Sequence, residues 1–177
     1  SLNPQKLLGI TKTSSLLLVA NRHNLVSSFS TGLPYLEPSQ GEYVNGGELG
    51  IQGTRPAEIL KLWLGLRQLG EEGIQSLLMN AVQRRSYFES KLDLSRLRLI
   101  SGPLHLIAFT PIGLSLSDSA EWSQKTRETL LTKGYMLSRP VYNERYYLKA
   151  VLGNPNTNFE HLDELAKFVN MSVRDYL

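Results

Sequence analysis

The sequence predicts a mixed α/β protein whose two parts differ in pattern. The first part holds one apolar run of strand length and two long stretches with apolar residues at helical spacing. The second part, after Asp93, alternates short apolar runs with amphipathic stretches. Short apolar runs bounded by polar residues are typical of strands, and a spacing of three to four residues is typical of helices. With 177 residues, the chain is long enough to bury a hydrophobic core.

The first part begins with a predicted strand and a long connection. Residues 15–20 form a continuous apolar run, which predicts a buried strand. Residues 21–53 contain two prolines and six glycines and show no clear periodicity. Connections of this length in a compact domain are often lids or binding segments, so we expect a mobile loop here.

Two helices are predicted next. Thr54 is a candidate N-cap, Pro56 suits the first turn and Gly70 suits the C-terminal cap. The apolar residues of this helix cover more than one face, which predicts burial on most sides. They are Ile59, Leu60, Leu62, Trp63, Leu64, Leu66 and Leu69. A second helix is predicted from about Glu71 to Leu92.

After Asp93 the predicted order is strand, strand, helix, strand, helix. The corresponding stretches are LRLIS, LHLIAFTP, AEWSQKTRETLLTKG, YYLKAVLG and the segment that begins NPNTNFEHLDELAKF. This order predicts a small α+β unit with a mostly antiparallel sheet. We therefore expect one domain over residues 1–93 and another over residues 94–177.

Composition and charge exclude several classes of function. The net charge of +3 comes from 19 basic and 16 acidic residues spread along the chain, so we expect no nucleic-acid partner. The absence of cysteine excludes disulfides, thiolate catalysis and cysteine-based zinc sites, and fits a cytoplasmic location. The apolar runs are far shorter than the ~20 residues of a membrane span, so no membrane partner is expected. Because the chain begins at Ser1 without a signal-like segment, we expect it to be part of a longer protein.

Short sequence motifs alone do not identify the chemistry of the protein. The three histidines lie far apart in the sequence, without a carboxylate at metal-ligand spacing, so no metal site is predicted. Neither a GxSxG nucleophile elbow nor a Walker-type phosphate loop occurs. Lys6, Tyr35 and Arg55 remain as candidates. Each also fits an ordinary role, as a solvated lysine, a packed tyrosine and a surface arginine.

Three stretches together resemble the group II pyridoxal-phosphate-dependent amino-acid decarboxylases, which include glutamate, aromatic amino-acid and diaminobutyrate decarboxylases. NPQKLLGITKTSSLLLV, LPYLEPSQ and IQGTRPAEILKLWLGLRQLGEEG occur in the order, and at nearly the separations, of that family. YYLKAVLGNPNT resembles a strand and turn of its small domain. The resemblance covers the whole chain but only the C-terminal part of the family. It implies the end of the large domain, plus the small α+β domain, of a fold type I pyridoxal-phosphate (PLP)-dependent transferase-like enzyme.

The resemblance implies that Lys6 is the Schiff-base lysine for the cofactor, PLP. An amine must lose its proton to condense with an aldehyde, which burial or a neighbouring cation favours. The resemblance places Asn3 and Gln5 near the cofactor phosphate. Gln5 stands where the family usually has histidine. Glutamine can donate a hydrogen bond to phosphate but cannot titrate.

The resemblance also gives roles to residues of the loop and of the helix that follows it. Tyr35 matches the tyrosine that protonates the substrate carbon after carbon dioxide leaves, and a phenol is protonated at neutral pH as a general acid should be. Arg55 matches the arginine near the substrate carboxylate, which a guanidinium binds through a two-pronged fork. Thr54 is either a helix N-cap or a phosphate contact across a dimer interface.

The whole enzyme implied by the resemblance is a homodimer that converts an L-amino acid to the amine and carbon dioxide. The family's aspartate for the pyridine nitrogen and its aromatic residue for the cofactor ring precede the lysine, so we expect residues 1–177 alone to be inactive. Two alternatives stay open. One is another fold type I PLP enzyme, an aminotransferase, aldehyde-forming enzyme or lyase. The other is a non-catalytic dimerisation or regulatory relative, which Gln5 favours.

Overall fold

The computed structural model describes residues 1–12, 14–36, 45–174 and 176, and the chain divides into two compact units. The first unit is Ser1–Gly70 and the second is Glu71–Leu177. The domain boundary expected at Asp93 lies inside the second unit and stays a prediction.

The first unit consists of short helices and turns joined by irregular segments. Its elements are helix α1 (Pro4–Leu7), helix α2 (His23–Phe29), 3-10 turns at Pro34–Leu36 and Gly46–Leu49, and the start of helix α3 (Ile59–Lys91). Part of the connection predicted over residues 21–53 is therefore helical. Residues 37–44 of that connection lie outside the described residues.

The buried strand predicted at residues 15–20 is wrong. Leu16 forms an isolated antiparallel bridge with Leu2 through two backbone hydrogen bonds of 2.8 Å. Leu17 and Leu18 are 64% and 86% exposed. A strand needs a neighbouring strand to pair its N–H and C=O groups, and the pairing of this run among the described residues is limited to that bridge.

Helix α3 begins later than predicted and is interrupted at Gly70. Its first residue is Ile59, so Thr54 does not cap it. A tight turn precedes the helix, in which the Glu58 N–H donates to the Pro56 carbonyl at 2.8 Å. Gly70 has a φ of 60°, which confirms the predicted helix end because residues with a Cβ rarely adopt positive φ. The helix predicted from Glu71 is also confirmed.

The first half of α3 is less buried than predicted. Leu62 is 4% exposed, but Ile59, Leu60, Trp63 and Leu64 are each more than half exposed. A helix that is apolar on several faces is buried only where protein covers each face. Within the described ranges, no helix is long and apolar enough to cross a membrane.

The second unit is built on an antiparallel sheet of three strands in the order β1-β2-β5. The strands are β1 (Leu97–Ser101), β2 (Leu106–Pro111) and β5 (Leu148–Val151). The register places Phe109 of β2 opposite Leu99 and Leu148. A separate hairpin of β3 (Val141–Tyr142) and β4 (Arg145–Tyr146) turns at two residues with φ of 46° and 62°, as a tight two-residue hairpin requires.

Two amphipathic helices, α4 (Leu116–Thr132) and α5 (Phe159–Arg174), complete the second unit. Ser115 caps α4 by accepting a hydrogen bond from the Asp118 N–H. The fully buried rings of Phe88, Phe109 and Trp122 form the centre of the core, with centroids 6.0 and 6.4 Å apart along this series. The predicted strands and helices occur in the predicted order and the sheet is antiparallel, as predicted, whereas the β3–β4 hairpin was not predicted.

Candidate functional site

Lys6 projects from α1 with an exposed side chain. Pro4 occupies the first turn of this helix and is less than 2% exposed. Proline suits a first turn because its φ is already helical. The Lys6 N–H donates to the Asn3 carbonyl, and the Leu8 N–H donates to the Pro4 carbonyl, both at 3.0 Å. The amine therefore stands on a short, defined turn whose buried side is Pro4.

Contacts on both sides hold the segment that carries Lys6. Before it, Leu2 pairs with Leu16. After it, Ile10 is 7% exposed and packs so closely on α3 that a Cβ at Gly65 would lie 2.8 Å from Ile10 Cγ1. The backbone of this segment is therefore fixed against the helix.

The side chains next to Lys6 in the sequence carry polar groups of the kind that bind a cofactor phosphate. Gln5 Oε1 and Ser14 Oγ are buried, and neither has a hydrogen-bond partner among the described residues. Buried polar atoms usually have a partner, so each of these atoms is compatible with a polar ligand group, Gln5 Oε1 with a donor and Ser14 Oγ with a donor or an acceptor. The Gln5 amide can donate to phosphate. The exposed Asn3 side chain does not cap α1 and is also available. These residues fit the cofactor.

Tyr35 lies in the 3-10 turn Pro34–Leu36 and is 76% exposed. Its neighbour Leu36 packs against the second 3-10 turn, because a Cβ at Gly47 would lie 3.3 Å from Leu36 Cδ2. The phenol thus extends from a turn that Leu36 packs against its neighbour.

Arg55 is held against the same second turn. Its Nη2 donates to the Gly46 carbonyl at 2.7 Å and its Nε donates to the Gln52 carbonyl at 3.0 Å. Arg55 also lines an open groove of about 970 Å³ whose walls are largely apolar, including Phe29 and Ile59. Thr54, its neighbour, is exposed and free of the predicted capping role.

The described residues do not join the candidates into one constellation. No hydrogen bond or ion pair connects any two of Lys6, Tyr35 and Arg55 within residues 1–12, 14–36 and 45–174. The groove beside Arg55 includes neither Lys6 nor Tyr35. Among the same residues, no three side chains of His, Asp or Glu lie together as metal ligands do.

One candidate, Glu48, was missed by sequence reasoning. Its side chain is 8% exposed, and both carboxylate oxygens accept hydrogen bonds from Thr31. Hydrogen bonds from the Ser30 and Thr31 hydroxyls lower the pKa of the Glu48 carboxyl. The sequence offers no signal for this contact, since a single glutamate in a glycine-rich loop is typical of a solvated residue.

Known proteins resemble this chain in sequence and in fold. Tyrosine decarboxylase 2 of Arabidopsis thaliana is 25% identical over 173 residues, which are 93% of this chain and 32% of that protein. The chain spans about a third of the length of the curated relatives that it matches.

Solved structures share the fold. The crystal structure of mouse CSAD aligns with a TM-score of 0.74 at 20% identity, over 98% of this chain and 39% of that one. Catharanthus roseus tryptophan decarboxylase in complex with L-tryptophan aligns with a TM-score of 0.68 at 24% identity, over 88% of this chain and 34% of that one. The predicted fold class, part of a fold type I PLP enzyme, is confirmed.

A family match covers more than half of the chain. Residues 1–109 match the family described as "Pyridoxal-dependent decarboxylase conserved domain". The matched range contains Lys6, Tyr35 and Arg55, the candidates that the resemblance selected. The cofactor of this family is pyridoxal phosphate. The chain therefore belongs to the pyridoxal-dependent decarboxylase family.

Proposed function

We propose that the protein containing this chain is a PLP-dependent carboxy-lyase that converts an L-amino acid to the amine and carbon dioxide. The family match over residues 1–109 carries the proposal, since that range holds Lys6, Tyr35 and Arg55 together. A tyrosine decarboxylase and a tryptophan decarboxylase are among the similar proteins, which supports an amino acid as substrate.

In this proposal, the Lys6 amine would be the covalent attachment point of the cofactor. The supporting feature is an exposed amine on a turn fixed by Pro4 and by the backbone contacts of Asn3. The side-chain amides of Gln5 and Asn3 donate to the cofactor phosphate, and Thr54, which does not cap α3, is a third phosphate contact. When bound, PLP supplies an electron sink for the electron pair of the breaking bond between the α-carbon and the carboxylate.

Arg55 and Tyr35 act on the substrate. The Arg55 guanidinium orients the substrate carboxylate through its fork of N–H groups. A carboxylate that must leave should not be bound too tightly before the reaction, so this contact orients the carboxylate and adds little ground-state affinity. The Tyr35 hydroxyl then donates its proton to the α-carbon that carbon dioxide has left, and regains a proton from solvent.

The test uses the complete gene product that contains residues 1–177. The protein is saturated with PLP, reduced with borohydride, digested and analysed by mass spectrometry. We expect a pyridoxyl group on Lys6, and none in Lys6→Ala. A pyridoxyl group on another lysine would contradict the assignment. Product analysis then separates the reactions, because carbon dioxide with the amine supports a decarboxylase, whereas a keto acid or an aldehyde indicates another PLP enzyme.

We also propose that the protein is a homodimer in which a second copy covers the first half of α3. The support is the apolar surface that Ile59, Leu60, Trp63 and Leu64 expose, because surfaces of this kind mark protein interfaces. Analytical ultracentrifugation of the complete gene product should give a dimer. Leu64→Lys should shift it towards monomer, whereas Met136→Lys, at an exposed site of the second unit, should not. A dimer unaffected by Leu64→Lys would place the interface elsewhere.

A further inference from the structure

The 3-10 turn Gly46–Leu49 contacts the segments of two proposed site residues. On one side it meets the segment that carries Tyr35, and on the other side it meets Arg55. These contacts all lie within the first unit. The turn is therefore the described element that links the proposed proton donor to the proposed carboxylate ligand.

Glu48 makes the contact towards Tyr35. Its Oε2 accepts a hydrogen bond from the Thr31 backbone N–H at 2.9 Å, and its Oε1 accepts one from the Thr31 hydroxyl at 2.7 Å. Both oxygens of the carboxylate thus accept hydrogen bonds from Thr31, which fixes the position and the direction of the chain at that residue. Thr31 begins the short stretch that leads to the 3-10 turn of Tyr35.

A buried carboxylate without a cation indicates a specific structural role. Glu48 is 8% exposed, and no lysine or arginine among the described residues forms an ion pair with it. Burying a charge costs free energy unless hydrogen bonds satisfy it. The hydroxyls of Ser30 and Thr31 provide that compensation and keep the carboxyl ionised. Replacing the carboxylate by an amide would remove one of the two acceptors and put a donor in its place.

A packing contact adds to the hydrogen bonds. A Cβ at Gly47 would lie 3.3 Å from Leu36 Cδ2, so Leu36 rests directly on the backbone of the turn. Leu36 follows Tyr35 in the same 3-10 helix. The turn therefore holds the Tyr35 segment at two points, through Thr31 before the tyrosine and through Leu36 after it.

Arg55 fixes the other side of the turn. Its Nη2 donates to the Gly46 carbonyl at 2.7 Å, and a Cβ at Gly50 would lie 2.8 Å from the same nitrogen. The guanidinium therefore lies flush against the turn, where a residue with a side chain at position 50 would displace it. The turn therefore contacts both Arg55 and the segment that carries Tyr35.

We propose that Glu48 is a positioning residue that, through Thr31 and the Gly46–Leu49 turn, fixes the Tyr35 hydroxyl relative to Arg55. This inference rests on the proposed decarboxylase function and on the role of Tyr35 as proton donor. Glu48 itself touches neither substrate nor cofactor in this assignment. A displacement of about 1 Å in a reacting group can cost roughly 100-fold in rate, so a loosened Tyr35 should lower kcat.

The experiment compares Glu48→Gln with the wild type and with Glu72→Gln, which alters an exposed glutamate of the second unit. The complete gene product is used with saturating PLP. We expect Glu48→Gln to lower kcat about tenfold with little change in KM, because Tyr35 is displaced while the substrate contact of Arg55 remains. Labelling of Lys6 by borohydride should be unchanged. Glu72→Gln should behave as wild type.

A double-mutant cycle separates positioning from general damage. Tyr35→Phe should itself lower kcat by about 100-fold or more, since it removes the general acid. In the Tyr35→Phe background, Glu48→Gln should have no further effect on kcat, because the group that it positions is gone. An equal loss in both backgrounds would show that Glu48 does not act through Tyr35, and would overturn the inference.

Thr31→Val is the second variant, for the case that Glu48→Gln does not fold. It removes one of the two hydrogen bonds and keeps the backbone N–H, so a smaller fall in kcat is expected, again absent with Tyr35→Phe. Wild-type kcat in both Glu48→Gln and Thr31→Val would overturn the inference alone. If Tyr35→Phe retains full kcat, or Lys6 is not labelled, the proposed function fails instead.

Discussion

At the scale of single residues, the second unit buries a cation whose partners are backbone carbonyls. Arg84 is 7% exposed, and its Nε donates to the Leu152 carbonyl at 2.9 Å. No carboxylate among the described residues pairs with it. The nearby His105 has a buried Nδ1 without a described partner. Burial, and secondarily the charge of Arg84, lower the pKa of His105.

This environment predicts a pH dependence of stability. His105 stays neutral in the folded protein at pH values where the unfolded chain, with a pKa of about 6.5, already binds a proton. The stability that depends on neutral His105 is therefore fully present above about pH 6.5. It is lost as the pH falls towards the lowered pKa of His105 in the folded protein. We expect the free energy of unfolding, from denaturant titrations, to decrease over this range in the wild type. The decrease should be smaller in His105→Gln.

His23→Gln is the matched control, because His23 is exposed and lies in the first unit. It should leave the pH dependence as in the wild type. If His105→Gln and the wild type lose the same stability between neutral pH and pH 5, another group carries the effect.

At the scale of elements, the sequence predicted what depends on local pattern. Helices α4 and α5 and strands β1, β2 and β5 have their own periodicity, caps and turn residues, and each forms near the predicted position. The run at residues 15–20 and the first half of α3 were predicted to be buried and are largely exposed, although Leu62 of α3 is buried. Their apolar pattern predicts burial. Whether they are buried depends on neighbouring elements, which the pattern itself does not specify.

The residues of the candidate site, too, could be predicted only where the sequence pattern is local. Lys6, Tyr35 and Arg55 were selected because each stands in a short motif with family-like spacing. Glu48 was not, because its contact with Thr31 crosses 17 residues of the chain. A hydrogen bond over such a separation leaves no periodic signature in the sequence.

Helix α3 contains a glycine whose substitution tests how the Lys6 segment is anchored. An alanine at Gly65 would place Cβ 2.8 Å from Ile10 Cγ1 and 2.9 Å from Ile10 Cδ1. Helix propensity alone would make Gly65→Ala stabilising by about 1 kcal/mol. We expect the reverse, a loss of about 1–3 kcal/mol in the free energy of unfolding, because overpacking a buried contact outweighs propensity.

Gly102→Ala is the control for Gly65→Ala. It introduces a Cβ with no atom within 4 Å, so it should change stability little. In an Ile10→Ala background the obstructing atoms are absent, and Gly65→Ala should then become stabilising. A stabilising Gly65→Ala in the wild-type background would mean that Ile10 does not pack closely on the helix.

At the scale of the whole molecule, the buried apolar residues are distributed unequally between the two units. The core cluster of the second unit extends from Phe88 of α3 and Leu92, which follows α3, to Val173 of α5. In the first unit, the buried apolar side chains among the described residues include Ile10 and Leu62, whereas many others, such as Leu18, Ile51 and Trp63, are exposed. Burial of apolar area is the main favourable term in folding, so the units should differ in autonomous stability.

Separate expression of the units tests this difference and the position of the domain boundary. Residues 71–177 should fold alone and unfold cooperatively, because their core is complete within the segment. Residues 94–177, the domain expected from the sequence, lack Phe88 and Leu92 and should be less stable by more than about 3 kcal/mol, the usual cost of deleting a buried phenylalanine. Residues 1–70 alone should show little protection in amide hydrogen exchange. Equal stability of 71–177 and 94–177 in urea would mean that residues 71–93 add nothing to the core, and would favour the boundary at Asp93.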